Sequence, residues 1–167
     1  MKVASTNKQV KRHIKRSIAA NKFAILSVTG VPQMGGGHGL NYSYTVGLSR
    51  LGYPELFICG KLPNEVFGGL LKRQANLWIS EGKASHEVRT DVVLRGDAKQ
   101  DILMRSQTML VNVTQALNTY CEQLRQRGGP NLQIAQLCYP DPQNLLPGEE
   151  GYDIRYQQPR LTPALPV

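Results

Sequence analysis

The stretch Asn41 to Gly60, NYSYTVGLSRLGYPELFICG, constrains the fold more than any other part of the chain. Tyr42 to Val46 and Glu55 to Cys59 each read as a strand, the second one apolar after its first residue. Gly47, Gly52 and Pro54 between them supply turn chemistry. Strand, tight turn, strand is therefore the local expectation. A glycine-rich run, Gly35-Gly36-Gly37-His38-Gly39, leads into it.

Period and punctuation supply the neighbouring elements. Residues 6 to 21 carry Val10, Ile14 and Ile18 at every fourth position, with Thr6 or Asn7 placed to cap, which predicts a helix with a narrow apolar stripe. Lys8, Lys11, Arg12, Lys15 and Arg16 fill its other faces. Phe23 to Val28 is a short apolar run suited to a buried strand. Pro63 opens a helix predicted to bury Val66, Leu70, Leu71, Leu77 and Trp78 and to stop at Gly82. Gly68-Gly69 inside it reads as a place of close packing. His86 to Leu94 predicts a strand, and residues 97 to 106 are ambiguous between strand and helix. Thr108 to Arg127 has helical spacing up to Gly128-Gly129-Pro130, and Leu132 to Cys138 predicts a last strand.

Together these predict an α+β fold in a single domain. Its centre is a mixed, mainly antiparallel sheet, or a partly closed barrel, with two longer helices packed on it. Residues 1–22 form a basic N-terminal helix in this reading, 23–139 the α+β core, and 140–167 an irregular tail wrapping the core. A chain of 167 residues buries a full core without staples. Cys59, Cys121 and Cys138 are odd in number and never spaced as CxxC, so buried free thiols in a reducing compartment are expected. No run approaches the roughly 18 apolar residues of a membrane span. No apolar segment follows the basic N-terminus either, which makes the cytoplasm the expected location. Lysine and arginine number 20 against 12 acidic residues, a net charge of +8 that favours anionic partners.

Two stretches carry a family resemblance. YTVGL is followed by PEL and an apolar strand ending in glycine, and the chain closes with LQIAQLCYPDPQNLLPGEEGYDIRYQQP. Both resemble the domain of unknown function family 4262, over most of the chain after about residue 23. Tyr53 stands where that family usually has histidine before Pro-Glu, and Tyr139 where it usually has tryptophan. The resemblance implies no reaction. It permits a phage setting, in which a counter-defence inhibitor is one expectation.

Candidate site residues follow from chemistry. Gly36 and Gly37 can present backbone N–H groups to an anion, although no Lys-Ser/Thr follows to make a Walker loop and the spacing is not that of a dinucleotide fingerprint. His38 is the acid–base candidate and Glu55 its partner carboxylate, with Tyr44 and Thr45 as orienting hydroxyls. Asp141, held between two prolines, reads as a ligand-positioning group or an Asx turn, and Arg155 as a clamp for phosphate or carboxylate. Ser43 sits in no GxSxG elbow, and His13 and His86 have no metal-ligand spacing with His38. No metal is expected. No cofactor is expected either, a flavin-type split barrel being permitted by the short strands but specified by nothing. The leading reading is a binder of a small anionic ligand such as a nucleotide, with hydrolysis a further option. The other is a non-enzymatic interaction protein that meets an acidic protein or nucleic acid through Lys11, Arg12, Lys15 and Arg16.

Overall fold

A computed structural model describes residues 3–31, 39–95, 101–156 and 158–164. In chain order the described elements are α1 (Val3–Asn21), β1 (Ala24–Val31), β2 (Leu40–Val46), β3 (Glu55–Gly60), α2 (Asn64–Glu81), β4 (Arg89–Arg95), β5 (Asp101–Leu110), α3 (Val113–Thr119) and β6 (Ile134–Cys138). The strands form one six-stranded sheet in the order β1-β2-β3-β6-β5-β4. Every neighbouring pair is antiparallel except β3 and β6, which run parallel with Glu55 opposite Ile134. The fold is α+β with a mixed, mainly antiparallel sheet. It is open, not a barrel: β1 and β4 are its two edges, and the described residues of the two strands do not pair.

The position of β3 follows from its composition. ELFICG has no outward polar alternation, and a strand apolar on both faces must be covered on both. All six residues are buried. Leu56 and Ile58 face α2 with Phe67, Leu70, Leu71, Ala75 and Trp78. Phe57 and Cys59 face the other layer with Ile14 of α1, Ala116 of α3, and Tyr44. β6 divides the same way, Ala135 and Leu137 to the first core and Ile134 to the second. In α2 the buried face is Phe67, Leu70, Leu71, Ala75 and Trp78, while the expected Val66 and Leu77 are only half-buried.

The sequence expectation fails most clearly at Thr108 to Arg127. β5 runs to Leu110, α3 has seven residues, and a separate 3-10 turn covers Glu122–Leu124. Met109 and Leu110 pair with Gln136 and Ala135 of β6, and Val111 N–H donates to Ile134 O at 3.0 Å. Sheet pairing thus claims residues whose spacing also suits a helix, and Asn112 then caps α3 by accepting from Gln115 N–H. Residues 101–106, ambiguous in sequence, belong to β5. β4 begins at Arg89, after His86, whose ring packs edge-on against Trp78.

The chain after β6 folds back over the sheet. Gln136, fully buried, donates from Nε2 to Pro159 O at 2.7 Å and accepts from Leu161 N–H at 2.8 Å. Pro163 then bridges to Val111, and Ala164 N–H donates to Leu110 O. The second core is closed by this return, which adds Leu161 to it.

Two glycines should respond oppositely to alanine. Gly47 has φ +119°, and a Cβ there would lie 3.1 Å from Lys22 O and 3.2 Å from both Ile18 Cγ1 and Phe23 Cα. Gly68, in α2, would place its Cβ in open space, so the close packing expected of it is absent. Gly47→Ala should therefore cost about 2 kcal/mol or more, and Gly68→Ala should stabilise by about 0.5–1 kcal/mol. Urea unfolding followed by the fluorescence of Trp78, the single tryptophan and fully buried, measures both. Shifts of the same sign would contradict this account.

Candidate functional site

Glu55 is buried completely and works as an internal clamp. Its Oε1 accepts from Gly47 N–H at 2.8 Å, Ser49 N–H at 3.0 Å and Ser49 Oγ–H at 2.9 Å. Its Oε2 accepts from Thr45 Oγ1–H at 2.6 Å, and Thr45 Oγ1 in turn accepts from Leu56 N–H at 2.8 Å. The ordinary alternative, pairing with a surface cation, does not occur. Tyr44 and Thr45 lie on opposite faces of β2 and share no hollow. Tyr44 stands in the second core, its hydroxyl 3.4 Å from Gln123 N–H as acceptor. His38, Gly36 and Gly37 lie outside the described residues.

Asp141 is likewise engaged internally. Its Oδ1 accepts from Gln143 N–H and Leu145 N–H, both at 2.9 Å, and its Oδ2 accepts from Asp153 N–H at 2.8 Å. This is the Asx turn, extended so that one carboxylate ties two parts of the tail together. Beside it, Gln158 is buried and brackets Tyr139, accepting from its N–H at 2.9 Å and donating to its carbonyl at 2.6 Å. Arg105 closes the same layer through a two-point pair with Glu149, both contacts at 2.7 Å.

These clamps wall a hollow of about 400 Å³ lined by Lys61, Leu62, Tyr139, Pro142, Asp153, Arg155 and Tyr156. Lys61 and Leu62 follow the end of β3, while Tyr139 and Pro142 follow the end of β6. The hollow therefore opens beyond the carboxyl ends of the two adjacent parallel strands, where sheets with parallel strands tend to hold ligands. Its walls are fixed by polar contacts. Asn41 Nδ2–H donates to Leu62 O at 2.9 Å, and Tyr152 O–H donates to Tyr156 O at 2.6 Å. Arg155 is held by Asp153 at 2.7 to 3.1 Å while its side chain stays 85% exposed, so the guanidinium is aimed and still accessible. Burial pushes the Tyr139 hydroxyl pKa well above the ordinary phenol value, which leaves it a neutral group. Of the residues expected to bind a ligand, Arg155 lines this hollow, and Asp141 builds its wall from behind.

At the other end of the parallel pair lies a second hollow, of about 370 Å³, lined by Lys11, Lys15, Ile18, Arg50 and Arg127. Arg50 precedes β3 and Arg127 precedes β6. Lys11, Lys15 and Ile18 share one face of α1, being four and three residues apart. Arg12 and Arg16 are exposed on α1 but do not line this hollow. Arg50 and Arg127 were not legible as site residues, since nothing in the sequence pairs them with α1.

A third hollow, of about 380 Å³, includes His86, Thr108, Cys138 and Arg160. His86 Nδ1 lies 2.9 Å from Thr108 Oγ1, and burial lowers the pKa of its imidazole. Burial pushes the Cys138 thiol up to about 11 and the Cys59 thiol up to about 12, so both are protonated at neutral pH and unsuited to nucleophilic attack. All three cysteines are free and buried. Among the described residues no group of histidine, cysteine or carboxylate side chains is arranged to hold a metal ion, and no helix is long and apolar enough to cross a membrane.

Comparison with known proteins adds a family without an assigned activity. A family model described as a domain of unknown function, DUF4262, matches residues 17–153. No curated protein and no solved structure matches the chain.

Two measurements test the clamps. Replacing Glu55 by Gln turns one acceptor into a donor facing the Thr45 hydroxyl, and should lower unfolding free energy by about 2 kcal/mol; an unchanged urea midpoint would show the clamp to be dispensable. The tail carboxylates predict acid lability. Arg105, together with Leu146 N–H, holds the Glu149 pKa down at about 2. Burial works against ionisation of Asp141, but the amides of Leu145, Asp153 and Gln143 outweigh it, and the Arg155 guanidinium lowers the Asp153 pKa. A lowered folded-state pKa means stability that is complete above the unfolded value, about 4, and is lost as pH falls towards the folded one. Stability should thus decline from about pH 5 to about pH 2, and Glu149→Gln should flatten part of that decline. Parallel acid profiles for the two proteins would remove the Arg105–Glu149 pair from the account.

Proposed function

We propose that this chain, which belongs to the DUF4262 family, binds a small anionic ligand with an aromatic part, a nucleotide being the closest chemical fit, in the hollow between Lys61 and Arg155. The observation that carries the reading is the convergence there of two cations and two tyrosines beyond the carboxyl ends of β3 and β6. Phosphate or carboxylate oxygens suit the Arg155 fork, which Asp153 already orients, so little side-chain entropy is lost on contact. Lys61 supplies a second, exposed positive charge just after the end of β3. Half-buried Tyr156 offers ring surface for a planar base, over a floor formed by the buried Tyr139. The rigid wall behind them, built by Asp141, Gln158 and Tyr152, supports a hollow formed before the ligand arrives.

The reading is one of binding. Glu55 and Thr45 are consumed by the turn clamp, which leaves neither free to act as base or orienting hydroxyl on a bound ligand.

A thermal-shift panel of nucleoside mono-, di- and triphosphates, cyclic dinucleotides and inorganic anions tests it, because a ligand that binds only the folded state raises the melting temperature by mass action. At least one nucleotide should shift the wild type, and Lys61→Ala and Arg155→Ala should each weaken its titrated affinity about tenfold, a loss of about 1.4 kcal/mol. Variants that keep full affinity, or a wild type indifferent to every anion in the panel, would defeat the proposal.

A further inference from the structure

We propose a second, independent site: the hollow formed by Lys11, Lys15, Arg50 and Arg127 binds the phosphate backbone of duplex nucleic acid. Four cations from three separate parts of the chain converge there, and no carboxylate is among the lining residues. Four other arginines are held by partners within the chain, three of them by carboxylates. Arg89 meets Glu81, Arg105 meets Glu149, Arg155 meets Asp153, and Arg125 donates to Asn118 Oδ1 and Leu117 O. No ion pair engages Lys11, Lys15, Arg50 or Arg127 among the described residues. Uncompensated like charges repel one another, and an anion that bridges them relieves that repulsion.

The lining also indicates what kind of anion. Apart from the cations it contains only Ile18, with no aromatic ring to stack on a base and no amide or hydroxyl to read one. Contacts would go to phosphates and carry no sequence information, and single strands, which are held by stacking, are disfavoured. A protein partner would need a buried apolar or aromatic anchor at its centre, for which one half-buried isoleucine is insufficient. The charge also extends beyond the hollow. Lys8, Arg12 and Arg16 are exposed on the same helix, and Lys11 and Lys15 are separated by about 6 Å along its axis. A compact ligand leaves that track unused, whereas an extended polyanion runs along it. The geometry is held in place by Gly47, which brings Ile18 of α1 against the turn that carries Arg50.

Fluorescence anisotropy with a labelled DNA duplex of about two helical turns, titrated across salt concentrations, decides the matter. The wild type should bind at about 50 mM salt, and log affinity should fall with log salt at a slope of about −3 to −4, the value for four phosphate contacts. Removing Lys11, Lys15, Arg50 and Arg127 together by alanine should abolish most of that slope. Arg50→Ala and Arg127→Ala singly should each reduce it by about one. A control carrying Lys72→Ala and Arg73→Ala, exposed on α2 across the sheet, should bind as the wild type does. Melting temperatures confirm that each variant is folded. Absence of duplex binding at low salt would overturn the proposal. So would an equal loss per charge removed in the α2 control, which would reduce the effect to net charge. Tighter binding of a polyglutamate peptide than of the duplex at equal salt would assign the hollow to an acidic protein instead.

Discussion

A carboxyl group with no solvent exposure, Glu55, organises the centre of this molecule. A buried ionisable group is tolerated only where hydrogen bonds replace water, and four donors from Thr45, Gly47 and Ser49 do so here. The consequences spread outward. The turn between β2 and β3 is held in one shape, so Gly47 keeps the positive φ that lets the end of α1 approach, and Arg50 is carried on the 3-10 turn just behind it. β3 begins at the same residue and is thereby set in register with β2 on one side and β6 on the other. One side chain thus couples a hairpin, a helix and the only parallel pairing of the described sheet.

That parallel pairing gives the molecule two chemically different ends. At the carboxyl ends of β3 and β6 lie tyrosines and an arginine already paired with Asp153. At the amino ends stand four cations that make no ion pair among the described residues. The first arrangement is rigid and mixed in polarity, suited to orienting a ligand that has a ring as well as a charge. The second has charge without orientation, suited to a repeating anion. The segments that carry the family resemblance supply Tyr139, Pro142, Asp153, Arg155 and Tyr156 to the lining of the first hollow and also build the frame. Thr45, Gly47 and Glu55 form the turn clamp, while Asp141 and Gln158 fix the tail around Tyr139.

Much of the architecture was legible in the sequence because it rests on local signals. The stripe of Val10, Ile14 and Ile18 marks α1, Pro63 and Gly82 bound α2, and the apolar run of ELFICG marks a strand covered on both faces. Legibility failed where two periods coincide. Met109 and Leu110 fit a helical stripe and a strand equally well, and pairing with β6 decides between them. It failed again at Glu55, which looks from sequence like a free carboxylate after a proline, whereas the Asx turn at Asp141 was one of two readings open in the sequence. What occupies the oxygens of both carboxylates is backbone N–H groups, and at Glu55 also the hydroxyls of Thr45 and Ser49, from residues up to twelve positions away, brought close by turns whose shape no periodicity reports. Arg155, a candidate from the sequence, lines the hollow, but Lys61, Tyr139 and Tyr156 carry no local mark that separates them from other surface or core residues.

By itself the sequence determined α1, α2 and the strands β1 to β3, the burial of β3 and the basic character of α1, since each depends on residues adjacent along the chain, while β5 and the short α3 needed the pairing with β6. The tertiary structure alone decided which strands are neighbours, hence that β3 lies parallel to β6, and with it which distant residues share a hollow. Lys11, Arg50 and Arg127 meet only because the clamp at Glu55 and the pairing of β6 bring three remote segments to one end of the sheet. Convergence of that kind depends on long-range contacts, and a pattern of nearest neighbours along a chain holds no record of them.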